Sequence, residues 1–412
     1  MSGPHPAPGR SEFGRVRIAC EGDPLDPASW SGTPAGLAAA LGRLGLLVDP
    51  VDVTPLLHRR RPGRMLAAGL HAPAALRWAG HSEVRPVAGW LANSSAGAAL
   101  QRSARYRMVT RRRPAACGVI RMRGQFNVGS ALPSVILDDL TLAQAFGHNW
   151  RGMGAATGRF RRLAGRRQRS AYREAVACGA ASRWAAMSMI DDYGVPSARV
   201  HVVGCGVNGP VRDVPRDWSL PRFLFISMHW SRKNGDAVVS AFERLRREQP
   251  AAELALVGDH PRVDQEGVRQ HGLLPRNQPD AQQRLRWLQE RATCLVMPSQ
   301  IEPFGLVYVE AGAVGVPSIG TTVGGAADAV GPGGVLVDPH RPEQLLDAMR
   351  RLSDPSTARR YGELALRHAE RCTWDAVARR LVRHLLPGRF DDEPDLVPVD
   401  RSSRCAASTH GG

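Results

Sequence analysis

Apolar and polar positions along the chain follow two alternating patterns. Short apolar runs at 16–20 (VRIAC), 46–53, 84–87, 117–122 and 134–137 have the make-up of strands buried on both faces. Between and after them the apolar spacing is helical, over 34–44, 63–79, 90–107, 170–179 and 182–193. Thr33 is placed to cap the first of these helices, with Pro34 opening it. After a stretch rich in Pro and Arg, 209–221, a second series begins. Its apolar runs lie at 222–227 (RFLFIS), 253–257, 294–298, 316–319 and 333–337. Its helical stretches lie at 236–248, 280–291, 304–315, 341–352, 355–371 and 373–386. Strand and helix alternate in both halves, which predicts parallel sheets with right-handed crossovers. The expectation is an α/β protein of two doubly wound Rossmann-like domains facing across a cleft. The expected bounds are 15–208, a linker at 209–221, and 222–372, with 1–14 and 388–412 as disordered ends.

Loops at the carboxyl ends of parallel strands are where such sheets bind ligands. Several of them carry candidate residues. The loop after 294–298 holds Glu302 and leads into a helix that carries Glu310, with Phe304, Val307, Ala311 and Val314 on one side. At that helix start the free amides of Gly305, Leu306 and Val307 would face an anion. Capping and a solvated face are the plainer reading of two such glutamates. The loop 228–235 (MHWSRKNG) brings Arg232 and Lys233 to the end of another strand, and 253–257 runs into Gly258. The loop 21–33 ends S-G-T-P, where Gly32 allows close backbone approach to a phosphate beside Thr33. No G-x-G-x-x-G follows the first strand, so dinucleotide binding is not supported. After 134–137 comes Asp138-Asp139-Leu140-Thr141, which reads equally as a helix cap.

Composition narrows the function classes. The chain has 412 residues, enough for two domains, and no apolar run of about 18 residues that would span a membrane. The first residues lack the apolar core of a secretory signal. Seven cysteines are scattered without metal-binding spacing and read as reduced thiols of a cytoplasmic protein. No metal site is expected. The net charge is +17, which fits nucleic acid, an anionic membrane or an anionic substrate. Arginines concentrate at 151–169, although most charge runs are merely solvated. Nucleic acid is disfavoured because no aromatic-rich basic motif accompanies the charge. Of 55 basic residues 54 are arginine, and the single lysine is Lys233. A compact ammonium at that place is something arginine does not mimic.

The string E-P-F-G-L-V-x-x-E from Glu302 to Glu310, followed by A-x-A-x-G-x-P-x-I and Gly324-Gly325, resembles the donor-site signature of glycosyltransferase family 4. That family comprises retaining enzymes of the GT-B fold. The resemblance implies a metal-independent transferase, without cofactor, that moves a sugar from a nucleotide-diphosphate sugar to a glycan, lipid or small-molecule acceptor. It implies that Glu310 holds the ribose diol and that Glu302 sits under the transferred sugar. Arg232 and Lys233 would neutralise the diphosphate. Phe304, Gly305, Leu306, Val307 and Gly258 would line the donor site, with Gly32 and Thr33 over the diphosphate from the other domain. Asp139 is the acceptor-side candidate. The helix at 373–387 would return to the N-terminal domain. Two departures stand out. Arg232 adjoins the lysine instead of preceding it by several residues, and Asp328 replaces a glutamate. A sugar-nucleotide epimerase or hydrolase of the same fold, and a non-enzymatic basic nucleic-acid or membrane-binding protein, are the alternatives. The expected location is the cytoplasm, with peripheral contact at the inner face of an anionic membrane as a further expectation.

Overall fold

The computed structural model describes residues 14–55, 65–66, 88, 92, 95–124, 126–128 and 132–399. The helix expected over 63–79 and the strand at 84–87 fall almost wholly outside these residues, as do the two ends of the chain. Among the described residues two sheets of six strands each form, parallel throughout.

The N-terminal sheet contains β1 (Val16–Cys20), β2 (Val51–Asp52), β3 (Gly118–Met122), β4 (Ser134–Asp138), β5 (Ala177–Ala180) and β6 (Val200–Val202), in the order β2-β1-β3-β4-β5-β6. Around it lie α1 (Thr33–Arg43), α2 (Ala96–Thr110), α3 (Leu142–Gly147), α4 (Gly158–Glu174) and α5 (Arg183–Asp191). The C-terminal sheet contains β7 (Arg222–Ser227), β8 (Glu253–Gly258), β9 (Val268–Gln270), β10 (Cys294–Val296), β11 (Ser318–Thr321) and β12 (Gly334–Val337). Its order, β9-β8-β7-β10-β11-β12, is the 3-2-1-4-5-6 order of doubly wound nucleotide-binding sheets. Its helices are α6 (Gly235–Glu248), α7 (Pro279–Arg291), α8 (Leu306–Gly312), α9 (Ala326–Val330), α10 (Pro342–Ser353) and α11 (Pro355–Arg371). The winding reverses between β1 and β3 in one sheet and between β7 and β10 in the other. A crevice opens at the carboxyl ends of the strands at each reversal.

The strands are apolar because helices cover both faces of each sheet. β1, β3, β4 and β5 are buried along their whole length. α12 (Trp374–Val382) packs on the N-terminal domain, with Asp375 bonded to Arg43 of α1 and Leu381 against Gly179.

Several elements differ from expectation. The run at 46–53 pairs as a strand only at Val51–Asp52, while Leu47 makes a single bridge to Val16. The helix expected over 170–179 is not there. Its first residues end α4, and Ala177–Ala180 forms β5 between β4 and β6. The helix propensity of Ala177 and Ala180 is overridden by burial in mid-sheet. The basic stretch becomes a 3₁₀ turn at Trp150–Ala155 and the long helix α4, capped by Thr157. Thr33 does not cap α1: Gly32 occupies that place in a left-handed conformation and Thr33 is the first helical residue. The tail expected to be disordered from Gly388 packs as far as the structure describes it. Leu396 is 0% exposed and donates its amide to the Val202 carbonyl, while Asp395 pairs with His201 and Arg383.

Candidate functional site

The loop after β7 is shaped by its own residues. Trp230 donates from its indole to Asp236 Oδ1 at 2.8 Å and lies flat over Gly235, where α6 begins. Asn234 takes a left-handed turn (φ 64°), and the Lys233 amide bonds back to the His229 carbonyl at 3.0 Å. This tight turn presents Arg232 and Lys233 together at the end of β7. The Arg232 carbonyl accepts from the Gln300 amide (2.8 Å), which ties the loop to the one after β10.

That second loop carries Glu302. Its backbone is clamped by Gly324-Gly325. The Gly325 amide donates to the Glu302 carbonyl at 2.8 Å, and a side chain on Gly324 would overlap that carbonyl. The paired glycines after β11 are therefore required for close approach, not for flexibility. So held, the Glu302 carboxylate accepts from Lys233 Nζ and from Ser299 Oγ (3.2 Å), with Arg232 3.9 Å away. Lys233 is 9% exposed and Glu302 6%. Burial pushes the Lys233 ammonium below its usual range and Arg232 adds to the push, while Glu302 opposes it. Two cations face one carboxylate, so the cluster keeps a net positive charge with few solvent contacts. An anion entering here would be drawn strongly.

Gly305 is left-handed (φ 91°) and N-caps α8. The helix expected over 304–315 is thus shorter, Leu306–Gly312, because the left-handed Gly305 cannot lie inside it. Leu306 and Val307 are half-buried at its first turn. One turn further on, Glu310 accepts from Arg276 Nη2 at 2.9 and 3.1 Å and from Asn208 Nδ2 at 2.9 Å.

The N-terminal domain closes over these loops. Ser182 Oγ donates to the Pro303 carbonyl at 3.1 Å. At the start of α5 the Arg183 amide and guanidinium bind both Asp328 oxygens, at 2.6 and 2.8 Å. Arg232 lies 4.7 Å from the ring centre of Trp150. Among the described residues no group of histidine, cysteine and acidic side chains is arranged to hold a metal ion.

Residues 220–354 match the family model described as glycosyl transferases group 1. The matched residues, about a third of the chain, resemble the group 1 glycosyl transferases. The chain is 32% identical over 253 residues to D-inositol 3-phosphate glycosyltransferase of Jonesia denitrificans, covering 53% of this chain and 55% of that one. It is 44% identical over 103 residues to the enzyme of the same name from Streptomyces griseus, covering 24% and 22%. The chain thus spans between about a fifth and about half the length of these curated relatives. Over 90% of its length it shares a fold with sucrose-phosphate synthase from Thermosynechococcus elongatus, with a TM-score of 0.60 at 18% identity and 98% of that chain covered. WaaG, a glycosyltransferase involved in lipopolysaccharide biosynthesis, gives 0.58 at 15% identity, covering 90% and 100%. The expected α/β architecture of two Rossmann-like domains, the GT-B fold, is borne out.

The expected residues sort into two sets. Glu302, Lys233 and Arg232 meet at the β7–β10 reversal, beside the half-buried Gly305, Leu306 and Val307. Glu310 and, from the other domain, Gly32 both lie against Asn208. Phe304 is 3% exposed and belongs to the core, so its side chain is structural. Gly258 (φ 111°) lies against the Ser227 backbone and joins the ends of β7 and β8. Asp139 is exposed at the end of β4, and the cap of α3 is Thr141, not Asp139. Asp328 is an interdomain brace. Arg276, Trp150, Trp374 and Asn208 were not among the expected site residues.

Proposed function

We propose that the chain is a retaining, metal-independent glycosyltransferase using a nucleoside-diphosphate sugar as donor. The observation that carries this reading is the convergence of Lys233, Arg232 and Glu302 at the reversal of a nucleotide-type sheet. Breaking the anomeric bond puts charge on the departing diphosphate. Lys233 and Arg232 are the groups that would take it up, aided by the first-turn amides of Leu306 and Val307. One such donor contributes about 3–4 kcal/mol to a transition state. Lys233, released from Glu302 by the phosphate, leaves that carboxylate to accept from sugar hydroxyls. Glu310 would accept from the ribose diol. Gly32 and Thr33 would cover the diphosphate from the N-terminal domain, which also binds the acceptor near Asp139. The same reading puts the chain in the cytoplasm, with the exposed arginine row of α4 meeting an anionic membrane.

The test has two steps. Thermal shift with UDP-, GDP-, ADP- and TDP-sugars finds the donor, because ligand binding raises apparent stability. Turnover in EDTA, with the product anomer read by NMR, then tests the mechanism. Retention without added metal is expected, and an inverted product or strict dependence on a divalent ion would overturn it.

A further inference from the structure

Asn208 stands where the N-terminal domain gives way to the linker, and its amide reaches three other parts of the chain. Nδ2 donates to the Ser31 carbonyl, in the loop after β1, at 2.9 Å and to Glu310 Oε1, in α8, at 2.9 Å. Oδ1 accepts from the Trp374 indole at the start of α12, at 3.0 Å. An indole can only donate, so it fixes which way the amide faces. Trp374 is 5% exposed, so the amide is pinned from that side. Both amide hydrogens are used, one toward each domain.

The loop it holds is strained. Trp30, Ser31 and Gly32 are left-handed in succession, with φ of 50°, 58° and 84°. For the first two this conformation is costly and persists only where surroundings enforce it. Arg123 lies over the Trp30 ring at 3.9 Å. Asn208 holds the Ser31 carbonyl, and Gly32 fits so closely under the amide that a methyl there would come within 3.1 Å of Oδ1. Loop 29–32 then runs straight into α1.

At the other end, Glu310 is already well supplied with donors. Asn208, Glu310 and Val314 line a cavity of about 40 Å³, room for water molecules. A diol would add two donors to a carboxylate with about four acceptor positions. Of the present partners, Arg276 is long and partly exposed, whereas Asn208 is pinned by Trp374. Arg276 is therefore the one that yields.

We infer that Asn208 is a positioning residue that ties Glu310 to loop 29–32, so that the nucleotide seat of one domain and the facing loop of the other are held as a unit. Its use in catalysis rests on the proposed function, while the tie itself does not.

Amide hydrogen exchange at Thr33, whose N–H is held by the Trp30 carbonyl, reads the loop directly. It is measured on the full chain without nucleotide. Asn208→Asp keeps the acceptor for Trp374 and loses both donors. Glu310→Ala removes the far anchor, and Glu310→Gln retains an acceptor there. Exchange is expected to rise about tenfold or more in Asn208→Asp and Glu310→Ala, and to stay within about twofold of wild type in Glu310→Gln. Wild-type protection in either of the first two, or the same rise in Glu310→Gln, would sink the inference. Should Glu310→Ala fail to fold by circular dichroism, Asn208→Asp against Glu310→Gln decides alone. A chain that shows this pattern and binds no nucleotide sugar refutes the proposed function and leaves the tie standing. Donor binding without the pattern does the reverse.

Discussion

Lys233 joins composition to geometry. Every other basic position in the chain is arginine, and this one is buried with its ammonium on Glu302. A guanidinium is wider and planar, and the space is already bounded by Ser299, Arg232 and the turn that Trp230 closes. Lys233→Arg is expected to keep the fold and the charge yet lower kcat/KM at least about tenfold, roughly 1.4 kcal/mol. Wild-type kinetics in a folded Lys233→Arg protein would show the lone lysine to be an accident. Glu302→Ala has a second cost, because it leaves buried Lys233 without its carboxylate. A destabilisation of about 3–5 kcal/mol is expected from such a broken pair, together with lost turnover. Glu302→Gln separates the two effects: it should recover part of the melting temperature and little of kcat. Full turnover in Glu302→Gln would remove the carboxylate from the chemistry. These residues were legible in the sequence because one is unique in type and the other sits in a long fixed string. Arg276 was not, since nothing marks it among 54 arginines and its partner Glu310 lies in another element. Nor was Asn208, because its hydrogen bonds join segments about a hundred or more positions away, which no local pattern encodes.

At the scale of elements, apolar runs bounded by turns revealed most strands, and period 3.6 revealed the long helices. What failed was local preference where the sheet overrides it. β5 is built of Ala, Cys and Gly, and only its place between β4 and β6 makes it a strand. β9 is three residues at an edge, with too little burial to leave an apolar mark. The end of β4 carries a group whose behaviour follows from burial. The Asp138 carboxylate accepts from the Gly124 amide (2.9 Å) and the Tyr172 hydroxyl (2.8 Å). Both bonds favour ionisation, yet burial outweighs them and pushes the carboxyl up to about 7. Asp139 nearby adds to the rise and Arg123 opposes it. The unfolded carboxyl loses its proton near the ordinary value of about 4. Between these limits the folded state holds the extra proton, so stability falls as pH rises from about 4 to about 7 and is flat above. Asp138→Asn keeps an acceptor without a charge. It should flatten that slope by up to about 1.4 kcal/mol per pH unit, measured by urea unfolding at successive pH values. An unchanged slope would mean that another group titrates.

At the scale of the whole molecule, the contacts that join the domains come, on the N-terminal side, from residues the motifs do not contain: Ser182 on Pro303, Arg183 on Asp328, Trp150 on Arg232. Asp328 stands where the resembling signature has a glutamate, and the shorter carboxylate is the one that meets the first turn of α5. Asp328→Asn keeps the shape and loses the charge opposite Arg183, itself partly exposed. We expect a larger radius of gyration in solution scattering and a higher KM for donor with kcat less affected. An unchanged KM would show that the brace is not needed for closure.

The remaining prediction concerns the outer surface. α4 exposes Arg159, Arg162, Arg166, Arg169 and Arg173, spaced three and four residues apart, so they form one row along the helix. Leu163 lies beside that row and is 45% exposed. Arg169 is partly spent on the carbonyls of Asp192 and Tyr193. Four arginines and a leucine remain to face a partner. No described helix is long and apolar enough to cross a membrane, so any contact of these helices with a bilayer lies at its surface. Each arginine near an anionic surface contributes about 1 kcal/mol, and salt screens it within about 10 Å. Binding to vesicles containing phosphatidylserine is therefore expected at low salt and its loss at high salt, with no binding to neutral vesicles. Arg162→Glu with Arg166→Glu should abolish it without touching turnover on a soluble acceptor, since both side chains are exposed on α4. Sedimentation that is equal for this double variant and wild type would assign the binding to the general positive charge of the chain and not to α4. Absence of binding at low salt would remove the membrane from the account altogether.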